Sequence, residues 1–428
     1  MLPSSIHHGQ VDGFKSLARE FRPKKTSEPS SPMRQYQSLT FPLVPPLLSA
    51  RLFFLAVLLA FNVSAGYPQR SSAAPLAECW RANVENIDKL EIESDNINRI
   101  FFSYNGGGIA SANAANGEST WKTELGGQTL RILYDQGILY VASLYRDEAK
   151  APALAADPQS VTLRALSADT GIVKWQTVLK NTNSKGDVAD ETSGSRGISG
   201  VTSIISRGDK ILFVGHGEIA VVLKTDGKQI ENAKLGGQSS TRAFFSDQEL
   251  YVGTAAGNLA VYSIATRAVS QIPTYGRPTA LTVFDGKIVV GDGLGRLTAY
   301  DIKSKKREWQ TRTGAEIANI TASGSGVVAS SNDNFLYFIV GADGSKRWKK
   351  RLDGRNTTVS DASADLLLAV NLNGNVAALI EPRKGRTVNQ IIAPAASFFI
   401  GKPILANKTV IFHLNDGLLA YSPTNCSL

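Results

Sequence analysis

Cysteine, histidine and long apolar runs are scarce in this chain, and each scarcity removes a class of chemistry. Among 428 residues there are two cysteines and four histidines. His7 and His8 stand near the start, and the other two, His216 and His413, are isolated, the first in a turn and the second on an inner strand. A lone histidine is more often structural than catalytic, so no catalytic, cofactor-binding or metal-ligating residue is assigned. The spaced carboxylates of a calcium loop are missing too. Asn332 to Asn334 and Asn371 to Asn375 are rich in Asn, Asp and Gly, which tight hairpins use for positive φ. The apolar stretch Leu52 to Val63 covers twelve residues, against the roughly 20 that a membrane-spanning helix needs. No transmembrane segment is therefore expected in the mature chain. Charge is modest as well: the net is +9, and residues 1–65, with seven Lys/Arg against three Asp/Glu, account for +4 of it.

What that short apolar stretch resembles instead is the core of an export signal. Arg51 precedes it, and Ser64-Ala65-Gly66 follows as a small-residue cleavage site. Residues 1–65 thus read as leader and signal peptide, with Met33 the more natural start, and residues 66–78 as a linker. Ser71 to Ala77 offers a second cleavage region. Cys79 is unsuited to lipid attachment, because Glu78 stands where a small residue is required. The mature protein is expected to be exported, periplasmic or extracellular, in a bacterial envelope.

From Ile100 onward one phrase recurs eight times: an apolar strand, a Gly/Asn/Asp turn, a second apolar strand, a polar turn, and a strand that often begins with Trp. Lys287 to Gly291, the turn Asp292 to Gly295, Leu297 to Ile302 and the strand from Trp309 form one copy. Ile109 to Trp121, Leu163 to Trp175 and Ile339 to Trp348 keep the same frame. Ala220 to Glu231, Ala260 to Gln271 and Ala377 to Asn389 keep it with the Trp lost. Anchored on the polar turn, the copies sit at Gly117, Gly171, Gly227, Arg267, Lys305, Gly344, Gly385 and Cys426, the later ones 38 to 41 residues apart. Four short antiparallel strands in such a unit cannot bury both sheet faces alone and must stack around an axis. The expected fold is all-β: an eight-bladed β-propeller of four-stranded antiparallel blades over residues 79–428. The tryptophans recur at one blade position, so they are expected to pack between sheets.

The last copy stops before its Trp strand, while Glu78-Cys79-Trp80 to Val84 has the look of such a strand with no blade of its own. The N-terminal strand should therefore close the eighth blade, leaving no long unpaired edge at the seam. Cys79 and Cys426 then fall on either side of one tight turn, where a disulfide fits. In the chain-entropy account that bond stabilises by roughly 4–5 kcal/mol, and it requires an oxidising compartment.

The phrase Ala165-Leu-Ser-Ala-Asp-Thr-Gly171 to Trp175, echoed by Ala299-Tyr-Asp-Ile to Trp309, resembles the PQQ-type propeller repeat, Ala-Leu-Asp-x-x-Thr-Gly-x-x-x-Trp. Proteins with this repeat include quinoprotein dehydrogenases, which bind pyrroloquinoline quinone and calcium, and BamB, the non-catalytic eight-bladed propeller of outer-membrane protein assembly. Fold does not choose between them. The dehydrogenase resemblance implies a pair of adjacent cysteines over the cofactor, and here Cys79 and Cys426 are far apart and assigned to the closure. The resemblance to BamB implies an exported, non-catalytic scaffold that binds envelope proteins and needs no cofactor. The alternatives are a quinone-dependent oxidoreductase and a propeller that binds carbohydrate or another small ligand.

Partner-binding candidates lie where the chain departs from the repeat or concentrates charge. Two spacings, 54 and 56 residues, exceed the rest. The excess falls in Arg146 to Gln159, with Arg146, Asp147 and Asp157, and in Asn181 to Gly200, with Asp187 and Asp190. Both insertions should emerge on one face as a lip; long loops on a rigid scaffold commonly bind. On the opposite face, turns between third and fourth strands are expected to hold Lys305, Lys306 and Arg307 in blade five and Lys346, Arg347, Lys349 and Lys350 in blade six. Such a basic rim suits an anionic envelope surface or an acidic protein. Nucleic acid is excluded as a partner, since no aromatic residues interleave the charges and the chain is exported.

Overall fold

The computed structural model describes residues 77–84, 87, 93–95, 98–144, 161–179, 202–352, 354, 357–363, 366–406 and 409–422, all within one compact unit, Ser71–Leu428. The leader, Cys426 and both insertions, with Arg146, Asp147, Asp157, Asp187 and Asp190, lie outside the described residues. No described helix is long and apolar enough to cross a membrane.

Eight four-stranded antiparallel sheets, one per repeat, make an eight-bladed propeller. Blade five shows how the sequence does this. Pro278–Phe284, Lys287–Asp292, Arg296–Asp301 and Arg307–Arg312 pair in chain order. Side chains of a strand alternate between its two faces, and both faces of a blade are covered by neighbours, so the middle strands read as continuous apolar runs. Thus Ile288 and Val290 pack toward blade four while Val289 packs toward blade six. The same holds around the ring: eight apolar clusters each join two neighbouring blades, including blades seven to eight and eight to one. First strands of successive blades approach one another and line the axis.

The eighth sheet is closed as expected. Ala77–Asn83 forms the outer strand beside Gly417–Ser422, in the order N-terminal strand, Gly417–Ser422, Thr409–Leu414, Ile404–Ala406. A bulge marks the equivalence of this strand with the others. Pairing slips at Cys79, just before Trp80, and it slips likewise just before Trp121, Trp175, Trp309 and Trp348. A bulge bends the strand and re-aims the next side chain. Here it turns each indole toward the following blade.

Candidate functional site

An up-and-down blade has two rims. The lower rim carries the turns between first and second and between third and fourth strands; the upper rim carries the second-to-third turns and the loops between blades.

Among the described residues, the third-to-fourth turns on the lower rim hold the ring together. Each Trp of an outer strand donates its indole N–H to a backbone carbonyl of the next blade: Trp80 to Ala114 at 2.9 Å, Trp121 to Ala168 at 2.9 Å, Trp175 to Lys224 at 2.8 Å, Trp309 to Gly341 at 2.9 Å and Trp348 to Pro382 at 2.8 Å. Each ring lies flat against a turn glycine: Gly117, Gly171, Gly227, Gly344 or Gly385. A Cβ there would meet ring atoms at 2.4 to 2.7 Å, closer than any real Cβ contact, and all five have φ between 68° and 75°. Glycine is therefore required twice over. Where the outer strand lacks Trp, the next turn is freed of that demand. Glu231 faces Arg267, and Gln271 precedes a blade whose turn carries Lys305, both at positive φ.

Charged contacts replace the indole at these two junctions. Tyr262 donates to Glu231 at 2.6 Å, and Arg267 Nε lies 3.5 Å from the same carboxylate. Lys305 Nζ reaches from blade five to Glu249 of blade four and, at 2.5 Å, to the Tyr251 hydroxyl, which itself donates to Glu249. Burial alone would raise the Glu249 carboxyl; the hydrogen bonds from Lys305 and Tyr251 and the lysine charge outweigh it and hold the group below the usual carboxylate range. Asp135 between blades two and three behaves alike. Burial opposes its charge, but Lys224, at 2.5 Å, and Ser206, at 2.8 Å, lower its pKa.

These contacts redistribute the basic candidates. Lys305 is engaged by Glu249, and Arg307 donates to the Tyr275 hydroxyl with its guanidinium 5.4 Å from that ring. Lys306 is exposed on the turn. Lys346, Arg347, Lys349 and Lys350 do not lie in a turn as expected. The blade-six turn closes at once, Gly344 donating to the Val340 carbonyl and Val340 to that of Ser345, so ladder pairing resumes at Lys346 opposite Ile339. The four cations therefore run along the outer strand Lys346–Arg351. Arg307 likewise opens a strand, opposite Tyr300.

The upper rim holds side chains that sequence reasoning missed. Asp292 accepts from the amides of Leu294 and Arg296, each at 2.9 Å, and from Arg296 Nε at 3.1 Å. Asp333 fixes the blade-six turn by accepting from Tyr337 at 2.5 Å and from the Gly314 amide at 2.9 Å. Asp416 accepts from Arg81 at 2.5 Å and Ser397 at 2.8 Å. On this pinned backbone stand large exposed apolar groups: Tyr275 and Leu294, each 54% exposed, Ile392, 63%, and Phe398, 37%. Tyr275 is held between Arg296 and Arg307, each guanidinium 5.4 Å from its ring. The Phe398 amide donates to Asn415 at 2.7 Å. Scattered single apolar residues in loops carry no periodic signal, so nothing in the sequence set them apart.

Around the axis, polar side chains on or just ahead of first strands bond to the next blade's backbone: Arg131 to Thr202, Ser240 to Pro278, Thr279 to Ile317 and Thr321 to Val359, at 2.6 to 2.8 Å. His216 occupies a positive-φ turn position in blade three, and burial lowers its pKa, with Glu218 opposing. His413 is buried on the second strand of blade eight. Asn334 and Asn373 take positive φ, the hairpin role expected of these Asn-rich turns. Among the described residues no three His, Cys, Asp or Glu side chains converge into a group able to hold a metal ion.

Comparison with known proteins reaches the same architecture. The family described as outer membrane protein assembly factor BamB matches residues 77–269 and 267–397. The chain belongs to the BamB family. The match starts at Ala77, first residue of the closing strand, and runs through blade seven. Among solved structures, BamB from Moraxella catarrhalis is similar with a TM-score of 0.61 at 14% identity, over 81% of this chain and 97% of that one. Sqt1 from Saccharomyces cerevisiae is similar with a TM-score of 0.64 at 11% identity, over 81% and 99%. The computationally designed Ika8 protein gives 0.61 at 12% identity, over 81% and 99%. At these identities the likeness is one of fold. No curated protein matches the chain in sequence.

Proposed function

We propose that this BamB-family propeller is a non-catalytic scaffold of the cell envelope that docks partner proteins on its upper rim. The observation that carries the reading is a set of apolar groups exposed on preordered upper-rim backbone: Tyr275, Leu294 and Phe398 stand in loops fixed by Asp292, Asn415 and the stacked arginines, with Ile392 at the end of an adjoining outer strand. On the lower rim the described third-to-fourth turns are engaged by indoles or ion pairs from the neighbouring blade, and the exposed Ile172, Val173 and Ile230 flank two of them. Exposed apolar side chains on preordered backbone bind without a large ordering cost. The family description supports protein assembly at the outer membrane as the setting, and the signal-like segment within residues 1–65 supports export. A disulfide between Cys79 and Cys426 belongs to the same reading.

Photo-crosslinking residues introduced singly at Leu294, Phe398 and, on the lower rim in blade three, the exposed Thr225 test this in the native cell. Discrete adducts to an envelope protein are expected from Leu294 and Phe398 and none from Thr225. Adducts from Thr225 alone, or from no position, would overturn the reading.

A further inference from the structure

The outer strand of blade six, Lys346–Arg351, differs from every other outer strand in charge. Five of its six residues are cationic, with Trp348 the exception, and no acidic residue interrupts them. The neighbouring outer strands mix signs or carry little charge: Arg307–Arg312 has Glu308 between its arginines, and Arg386–Ile392 has Arg386 as its one charged residue. None of the five cations forms an ion pair with any described residue. Three are instead held over aromatic rings of the adjacent strand: Lys346 at 5.6 Å from Tyr337, Arg347 at 4.9 Å from Phe338 and Lys349 at 5.2 Å from Phe335. Arg347 is further fixed by donating to Ser325 at 3.1 Å. Such stacking holds a charge in place without neutralising it. The Trp348 bond to Pro382 draws the exposed Arg383 and Lys384 of blade seven beside the strand, lengthening the strip.

We propose that this edge docks an acidic, extended segment of a partner protein, which adds to blade six as a fifth strand. Lys346–Arg351 is last in its sheet, so its outward backbone groups are available for strand addition. Cations alternate to both sides of the strand, as the side chains of an added strand would. A second copy of the same strand is repelled, since like charges would stand opposite one another. A lipid surface fits less well: none of the exposed large apolar side chains among the described residues lies on this strand or on its flanking turns, so nothing there would enter a bilayer. The inference gives chemistry to one partner of the proposed scaffold and rests on that reading only for the partner's being a protein.

The test is fluorescence anisotropy of the purified full chain with a ten-residue probe peptide of alternating Glu and Val. Beside it run the same peptide N-methylated at alternate amides, and phosphatidylglycerol vesicles in a sedimentation assay. The strip variant is Lys346→Gln/Lys349→Gln/Lys350→Gln. Its control removes the same charge elsewhere, Lys122→Gln/Lys174→Gln/Lys228→Gln, and both are checked for an unchanged thermal transition. Should the strip variant lose that transition, Lys349→Gln alone takes its place, with a smaller loss expected. The expected result is saturable peptide binding, weakened at least tenfold by the strip variant and by N-methylation but not by the control. Equal loss in both variants, equal binding of the methylated peptide, or vesicle binding without peptide binding would overturn the proposal. Because the peptide reads the strip directly, failure here leaves the rim crosslinking result standing, and failure of that crosslinking leaves this one standing.

Discussion

Trp309 and Gly344 belong to different blades, yet each explains the other: the indole needs a surface without a Cβ, and the turn needs a residue at ease with φ of 73°. The coupling sets a residue-level contrast. Gly344→Ala should destabilise by about 2–4 kcal/mol, since it combines left-handed strain with overpacking against the ring. Arg267→Ala, at φ of 58° but facing Glu231 and no indole, should cost under about 1 kcal/mol. Urea unfolding midpoints at constant slope measure both. Trp309→Ala should cost about 3–5 kcal/mol by the same assay. The ionic junctions respond to pH instead. The Glu249 carboxyl is depressed in the folded state, so its contribution is complete above the ordinary carboxylate pKa and fades as pH falls through the lower folded value. Glu249→Gln should therefore cost roughly 1–3 kcal/mol at pH 7 and less at a pH below the ordinary carboxylate pKa. Equal losses at both pH values would contradict the assigned ion pair.

At the scale of the strand and blade, most of the architecture was legible because the same signal is written eight times. Apolar runs of five to seven residues, turn glycines and a Trp four residues beyond them define strands, register and the orphaned closing strand at Trp80. The Trp-less copies were legible as blades too, though the reason for Arg267 and Lys305 at glycine positions was not. It lies in Glu231 and Glu249, partners 36 and 56 residues away on another sheet. Lys346 to Lys350 were misplaced because a run of cations after Asp343-Gly344 looks like turn sequence; the bulge at Arg347 and pairing from Lys346 make it strand. The upper-rim groups were invisible, since Leu294 and Tyr275 gain meaning only from the Asp292 turn and the two arginines around them. Closure of the eighth blade makes a prediction at this scale. With Cys79 joined to Cys426, Cys79→Ser should lower the melting temperature of the oxidised protein by several degrees and leave that of the reduced protein nearly unchanged. Equal melting of oxidised wild type and variant would remove the disulfide from the account.

At the scale of the whole molecule, eight apolar interfaces and five indole bonds form a closed, rigid ring, and rigidity is what a docking platform requires. A ring of this kind serves dehydrogenases as well as scaffolds, so the functional reading rests on which surfaces are left free: the upper rim, and the cationic edge of blade six. The measurement that tests the central claim most directly is titration of the oxidised, purified protein with pyrroloquinoline quinone and calcium, followed by absorbance and melting temperature. A non-catalytic scaffold gives neither a saturable spectral change nor a thermal shift; saturable binding with a raised melting temperature would contradict it.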